Sequence, residues 1–174
     1  TVLEINLDAL TSNYNFYKHK LENKTKIMVM VKAFGYGNGG YEIAKQLEHL
    51  KVAYLGVAFA DEGIALRKAG ITTPIMVLNP EISSYKSMIA YNLEPEMYNI
   101  SGLTSFIDLA KEKNLNAYPI HLKIDTGMHR LGFEEENISE LIALLQHNNF
   151  VKVTSVFSHL AATDNLDFKD FTLQ

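Results

Sequence analysis

Residues 27–40 read IMVMVKAFGYGNGG. Five apolar residues in a row, 27–31, predict a strand covered on both faces, as in a parallel sheet. Lys32 then places a primary amine where that strand meets its loop. In αβ folds this edge is where ligands bind. An amine drawn toward an apolar sheet loses hydration, which makes it a candidate nucleophile or base. The glycines that follow permit positive φ and close backbone approach. The helix after them offers N–H groups and a positive dipole end suited to a phosphate, and Tyr36 could add a hydroxyl. The segment matches neither a Walker loop nor the dinucleotide fingerprint. Taken alone, it reads more readily as a lysine beside a flexible turn.

Working outward, strand and helix patterns alternate along the chain. Residues 2–8 alternate like a short strand, and Asp8 or Thr11 can cap a helix carrying Leu10, Tyr14, Tyr17 and Leu21. Further strands are expected at 54–59, 74–78, 93–98, 119–124 and 151–157. Pro95 argues against a central place for the strand at 93–98. Helices are expected at 41–50, 61–69, 83–91, 101–113 and 134–148, with Gly70 closing the second and a Ser cap opening the fourth. A last helix begins near Asp167. Such alternation predicts a parallel sheet with right-handed crossovers. Six strands follow the first short one. A doubly wound sheet could use six. A (β/α)8 barrel needs two more, and the last helix ends with the chain.

Bulk properties narrow the classes. The chain has 174 residues, enough for one domain or part of a larger one. With 47% hydrophobic and 21% charged residues it is globular. A formal net charge of −4 without a basic run argues against nucleic-acid binding through a cationic face. The absence of cysteine excludes a disulfide scaffold or thiolate metal site and agrees with a cytoplasmic setting. No apolar run approaches the roughly 20 residues of a membrane span. The chain starts at Thr1 rather than Met, so a native N-terminus upstream is expected.

Two more strand ends carry polar clusters. In residues 121–133, HLKIDTGMHRLGF, alternation puts His121, Lys123 and Asp125 on one face and Leu122 and Ile124 on the other. Buried charges are costly unless paired, so that face must meet partners or a ligand. The plain alternative is an edge strand with a solvated face. Arg130 follows in a Gly-bounded loop, a planar cation suited to an oxygen anion. In residues 158–164, SHLAATD, His159 lies just past an apolar strand. A lone histidine there is more often a loop residue. His19, His49 and His147 fall on helices and read as surface residues, and no metal-ligand spacing appears. If the strands are parallel, lysine, arginine and histidine converge on one rim, the usual enzyme arrangement in a barrel.

The segments VKAFGYGNG, GVAFADEGIALRKAGITTPIMVL, HLKIDTGMHRLGF and FSHLAATDN, in this order, resemble the alanine racemase family over nearly the whole chain. A looser similarity is to the racemase half of proteins fused to a cell-wall peptide ligase. The resemblance implies an α/β fold: a (β/α)8 TIM-type barrel, here about six βα units, with residues 1–174 a partial pyridoxal-phosphate-binding domain. The later barrel and the C-terminal β domain would be absent. It implies pyridoxal 5′-phosphate as cofactor, alanine as substrate for peptidoglycan synthesis, and a homodimer in the cytoplasm. Lys32 would form the Schiff base and act as one catalytic base, and Tyr36 would hold the phosphate. Leu78 would pack near the ring, Arg130 would bond the phenolic oxygen, and His159 would support that network. Lys123 matches a lysine often carbamylated in the family, whose carbamate can orient Arg130. Phe34, Gly35 and Asn38 depart from the usual lysine-alanine-asparagine-alanine-tyrosine-glycine-histidine-glycine, while Lys32 and Tyr36 keep it. The second base, a tyrosine of the partner subunit's C-terminal domain, would lie outside the chain, leaving this piece inactive alone. Alternatives are a racemase of another amino acid such as serine, a non-catalytic pyridoxal-phosphate-binding protein and, well below them, a decarboxylase.

Overall fold

The computed structural model describes residues 1–162 and Asp167. The helix expected after Asp167, and Asp164 of the third cluster, lie outside the described residues. The chain divides into two compact units, Thr1–Glu94 and Pro95–Gln174.

The first unit runs α1 (Leu7–Lys20), β1 (Met28–Met30), α2 (Lys32–Tyr36), α3 (Gly40–His49), β2 (Tyr54–Val57), α4 (Ala60–Lys68), β3 (Ile75–Val77) and α5 (Tyr85–Ala90). Strands β1, β2 and β3 pair in sequential order, all parallel, with Met30 opposite Gly56 and Val57 opposite Val77. Leu55, Val57, Ile75 and Val77 are fully buried between helices that contribute Ala44, Leu47, Leu66 and Met88. These continuous apolar runs are what a sheet covered on both faces requires. Arg67 ties α4 to the loops beneath it: its guanidinium donates to the carbonyls of Ile71, Thr73, Tyr91 and Asn92 at 2.7–3.1 Å. The LRKAGI segment is therefore architectural.

The second unit holds β4 (Glu94–Met97, which begins at the boundary), α6 (Ile100–Glu112), β5 (Tyr118–Lys123), α7 (Ile138–Gln146) and β6 (Val151–Phe157). Strand β5 pairs in parallel with β4 on one side and β6 on the other. Phe106, Leu103, Ile120 and Phe133 are fully buried. In each unit the strands lie in sequence order, as a barrel wall requires, without the reversal that marks a doubly wound sheet.

Three expectations change. Residues 2–8 form no strand: Val2 and Leu3 are exposed, and Asn6 instead caps α1 by accepting the N–H groups of Asp8 and Ala9. Asn99, rather than Ser101, caps α6 through Gly102. Strand β1 is less covered than its apolar run implies, with Met28 exposed and Val29 and Met30 half-buried. Within its unit β1 is paired by β2 alone, so coverage is completed only at Val31.

Candidate functional site

Lys32 follows β1 directly and opens a turn of unusual hand. Ala33, Phe34 and Gly35 have φ of 51°, 56° and 63° with ψ near 40–50°, and Tyr36 has φ 55°. The bonds Gly35 N–H to Val31 carbonyl and Gly37 N–H to Ala33 carbonyl, both 3.0 Å, close i to i−4 rings. Thus α2 is a single turn of left-handed helix. For each non-glycine residue this conformation costs about 1–2 kcal/mol, so surrounding contacts must hold it.

Glu62 supplies such a contact. Its Oε1 accepts the N–H of Ala33 at 2.6 Å, and its Oε2 accepts those of Ala58 and Phe59 at 2.7 and 3.1 Å. The carboxylate sits in the first turn of α4, where an anion is favoured by the helix end. It ties the peptide after Lys32 to the end of β2. Lys32 is half-buried, whereas Tyr36 is exposed. Leu78 follows β3 at the same sheet edge, half-buried, its N–H bonded to the Val57 carbonyl at 3.0 Å. The first unit thus places Lys32, Tyr36, Glu62 and Leu78 along the C-terminal edge of its three strands.

The second unit builds its own cluster at the C-terminal ends of β5 and β6. His121 and Lys123 are buried, at 1% and 8% exposure, which removes the solvated-edge reading of this strand. His121 Nδ1 lies 2.7 Å from Ser155 Oγ on β6. Lys123 Nζ lies 3.3 Å from Oε1 of Glu96 on β4 and 5.8 Å from the Phe157 ring centre. Burial pushes the Glu96 carboxyl up to about 7, against the opposing pull of Lys123 and Arg130.

The loop after β5 is shaped by Asp125 and Gly132. Asp125 Oδ1 accepts the N–H groups of Gly127 and His129 at 2.9 and 3.1 Å. These bonds, that from His129 foremost, hold its carboxyl below the usual carboxylate range. The chain then folds back along the strand. Phe133 N–H donates to the Lys123 carbonyl at 2.8 Å, and Asp125 N–H to the Phe133 carbonyl at 3.0 Å. A Cβ on Gly132 would lie 2.4 Å from the Asp125 nitrogen, so a side chain there is excluded. This fold-back carries Arg130, exposed, at the tip of the loop. His159 is exposed in the segment after β6, next to Ser158, whose hydroxyl meets that of Thr126.

Within its own unit, Lys123 ends β5, and Lys32, Tyr36, Leu78, Arg130 and His159 fall in the segments that follow a strand. Glu62 and Glu96 were not singled out from sequence. Glu62 had a readable signal, a glutamate in the first turn of a helix entering an apolar run. Glu96 had little, since Pro95 beside it weakens the strand pattern.

Residues 5–174 match the family model described as alanine racemase, N-terminal domain. The chain is 38% identical over 169 residues to alanine racemase 2 of Bacillus subtilis (strain 168), covering 95% of this chain and 43% of that protein. It is 39% identical over 173 residues to an amino-acid racemase of Enterococcus faecalis, covering 97% of this chain and 23% of that protein. Among solved structures, alanine racemase of Clostridium difficile 630 in complex with cycloserine superposes with a TM-score of 0.90 at 35% identity. That match covers 97% of this chain and 47% of the other. The fold is therefore α/β of the (β/α)8 barrel type, represented by about six βα units. The chain spans less than half the length of the curated relatives it matches.

Proposed function

Since this chain belongs to the alanine racemase N-terminal domain family, we propose that it is the cofactor-holding part of an amino-acid racemase that interconverts L- and D-alanine in the cytoplasm for peptidoglycan synthesis. The residues of the first unit fit pyridoxal 5′-phosphate: a primary amine at Lys32 would take its aldehyde and a hydroxyl at Tyr36 its phosphate. Arg130, in the second unit, is a guanidinium of the kind that would bond a phenolic oxygen. When bound, the cofactor supplies an electron sink for the substrate α-carbon. Lys32 would hold the cofactor, and its Nζ would move a proton on one face of that carbon. Leu78 would cover the ring, and in the second unit His159 would support a polar network around Arg130.

The observation that carries this reading is the address of Lys32. It stands at the end of a parallel strand, in a strained left-handed turn that Glu62 fixes. A loop lysine with no task would not need this geometry.

Inversion needs a second base on the opposite face. We assign it to a tyrosine of the partner subunit's C-terminal domain in a homodimer, within the length that the relatives have beyond this match. The isolated chain then turns over little or no substrate. The test is D-alanine formation from L-alanine by the full-length protein and its loss in Lys32→Ala. A second reading, a racemase of another amino acid such as serine, is favoured by the 39% identity to a protein named only as an amino-acid racemase. Parallel assays with L-serine and L-alanine separate the two.

A further inference from the structure

Asn38 and Gly39 form the one Asn-Gly pair in the sequence. Asparagine is among the thermolabile residues. A following glycine puts no Cβ in the way, so the next main-chain nitrogen can reach the amide carbon. The structure leaves this pair open to that attack. Asn38 is exposed, and among the described residues its side chain makes no hydrogen bond. A Cβ built on Gly37, just before it, would meet nothing within 4 Å. One bond, Gly39 N–H to the Phe34 carbonyl at 3.1 Å, guards the attacking nitrogen. Other asparagines differ. Asn6, Asn99, Asn137 and Asn148 accept main-chain N–H groups through their side chains and precede larger residues. Asn79 precedes Pro80, which has no N–H to give up.

We propose that Asn38 is a site of spontaneous deamidation, and that its conversion weakens the loop's hold on a phosphate. The Gly39 nitrogen gives its proton to solvent and forms a bond to Asn38 Cγ. The Cγ–Nδ2 bond breaks, and the amide nitrogen takes a proton from solvent and leaves as ammonia. Water then opens the cyclic imide at either carbonyl. The products are aspartate, or isoaspartate in which the main chain runs through Cγ and is longer by one methylene. Either carries a carboxylate where a neutral amide stood. The new anion lies two residues from Tyr36, to which the proposed function gives the cofactor phosphate. Like charges repel there. Isoaspartate also shifts Gly39 relative to Phe34, and so loosens the bond that ties Gly39 to the left-handed turn. The loss of phosphate binding rests on the proposed function; the deamidation does not.

The full-length protein is aged in mildly alkaline buffer made with heavy-oxygen water, digested and mapped by mass spectrometry. Asn38 is expected to convert ahead of every other asparagine, with heavy oxygen in its new carboxylate. Aged wild type and fresh Asn38→Asp are expected to bind pyridoxal phosphate about fivefold more weakly than fresh wild type at low ionic strength, with the gap narrowing in high salt. Asn38→Gln, whose longer side chain closes such a ring far more slowly, is expected to keep its affinity on ageing. Retention of the Asn38 amide while other asparagines convert overturns the proposal. So does Asn38→Asp with wild-type affinity, or with a deficit that salt leaves unchanged. Failure of fresh wild type to capture the cofactor, with Asn38 converted as expected, would count against the racemase reading alone.

Discussion

The peptide N–H of Ala33 donates to Glu62 Oε1 at 2.6 Å, so the residue after Lys32 is held by a carboxylate 29 positions along the chain. The same carboxylate accepts from Ala58 and Phe59, and so fixes the left-handed turn against the end of β2. Glu62→Ala strands three N–H groups and should cost about 1–3 kcal/mol of stability. Glu62→Gln keeps one acceptor but turns an amide N–H2 toward backbone donors, and should weaken capture of pyridoxal phosphate at Lys32 even where the fold survives. Thermal melting and cofactor titration check the two effects. Unchanged titration in folded Glu62→Gln would remove Glu62 from the account of Lys32.

Gly132 makes a second sharp prediction. Its φ of 145° and the 2.4 Å approach of a built Cβ to the Asp125 nitrogen leave no room for alanine. Gly132→Ala should cost at least about 1–3 kcal/mol from the backbone conformation alone. It should also loosen the bonds that seat Phe133 along β5. Denaturant unfolding measures the loss, and amide exchange at Phe133 localises it.

Acid stability should depend on Glu48. Burial by itself raises its carboxyl, but the N–H and hydroxyl groups of Thr72, the Thr73 N–H and the Lys45 ammonium outweigh burial and hold it at about 2. The folded value lies below the ordinary 4.5, so the unfolded chain binds the proton more readily. The stability from Glu48 is therefore full above pH 4.5 and lost as pH falls through about 2. Glu48→Gln should lower the melting temperature at neutral pH and flatten its fall over that acid window. Parallel acid-dependent curves for both proteins would contradict this.

Much of the fold was legible because the apolar runs were long enough to fix the strands at 54–59, 74–78, 119–124 and 151–157, and the helices between them had clear stripes. The strand expected at 2–8 failed because alternation alone cannot provide a pairing partner, and Asn6 had a better use as a cap. The polar face of β5 was legible, but its burial was not. Whether His121 and Lys123 meet water depends on β4 and β6, which flank them only in three dimensions. For the same reason Glu96 was invisible as the partner of Lys123. Lys32 stood out, but the handedness of its turn did not. Ala33, Phe34 and Tyr36 carry no preference for positive φ, and the turn is imposed by tertiary contacts such as that to Glu62.

The most direct test of the account is chemical. The full-length protein is incubated with pyridoxal phosphate, reduced with borohydride, digested and mapped by mass spectrometry. The account predicts a single stoichiometric cofactor adduct on Lys32, with a visible absorbance band before reduction that is lost in Lys32→Ala. A band that survives in Lys32→Ala, or an adduct carried mainly by another lysine, would contradict it.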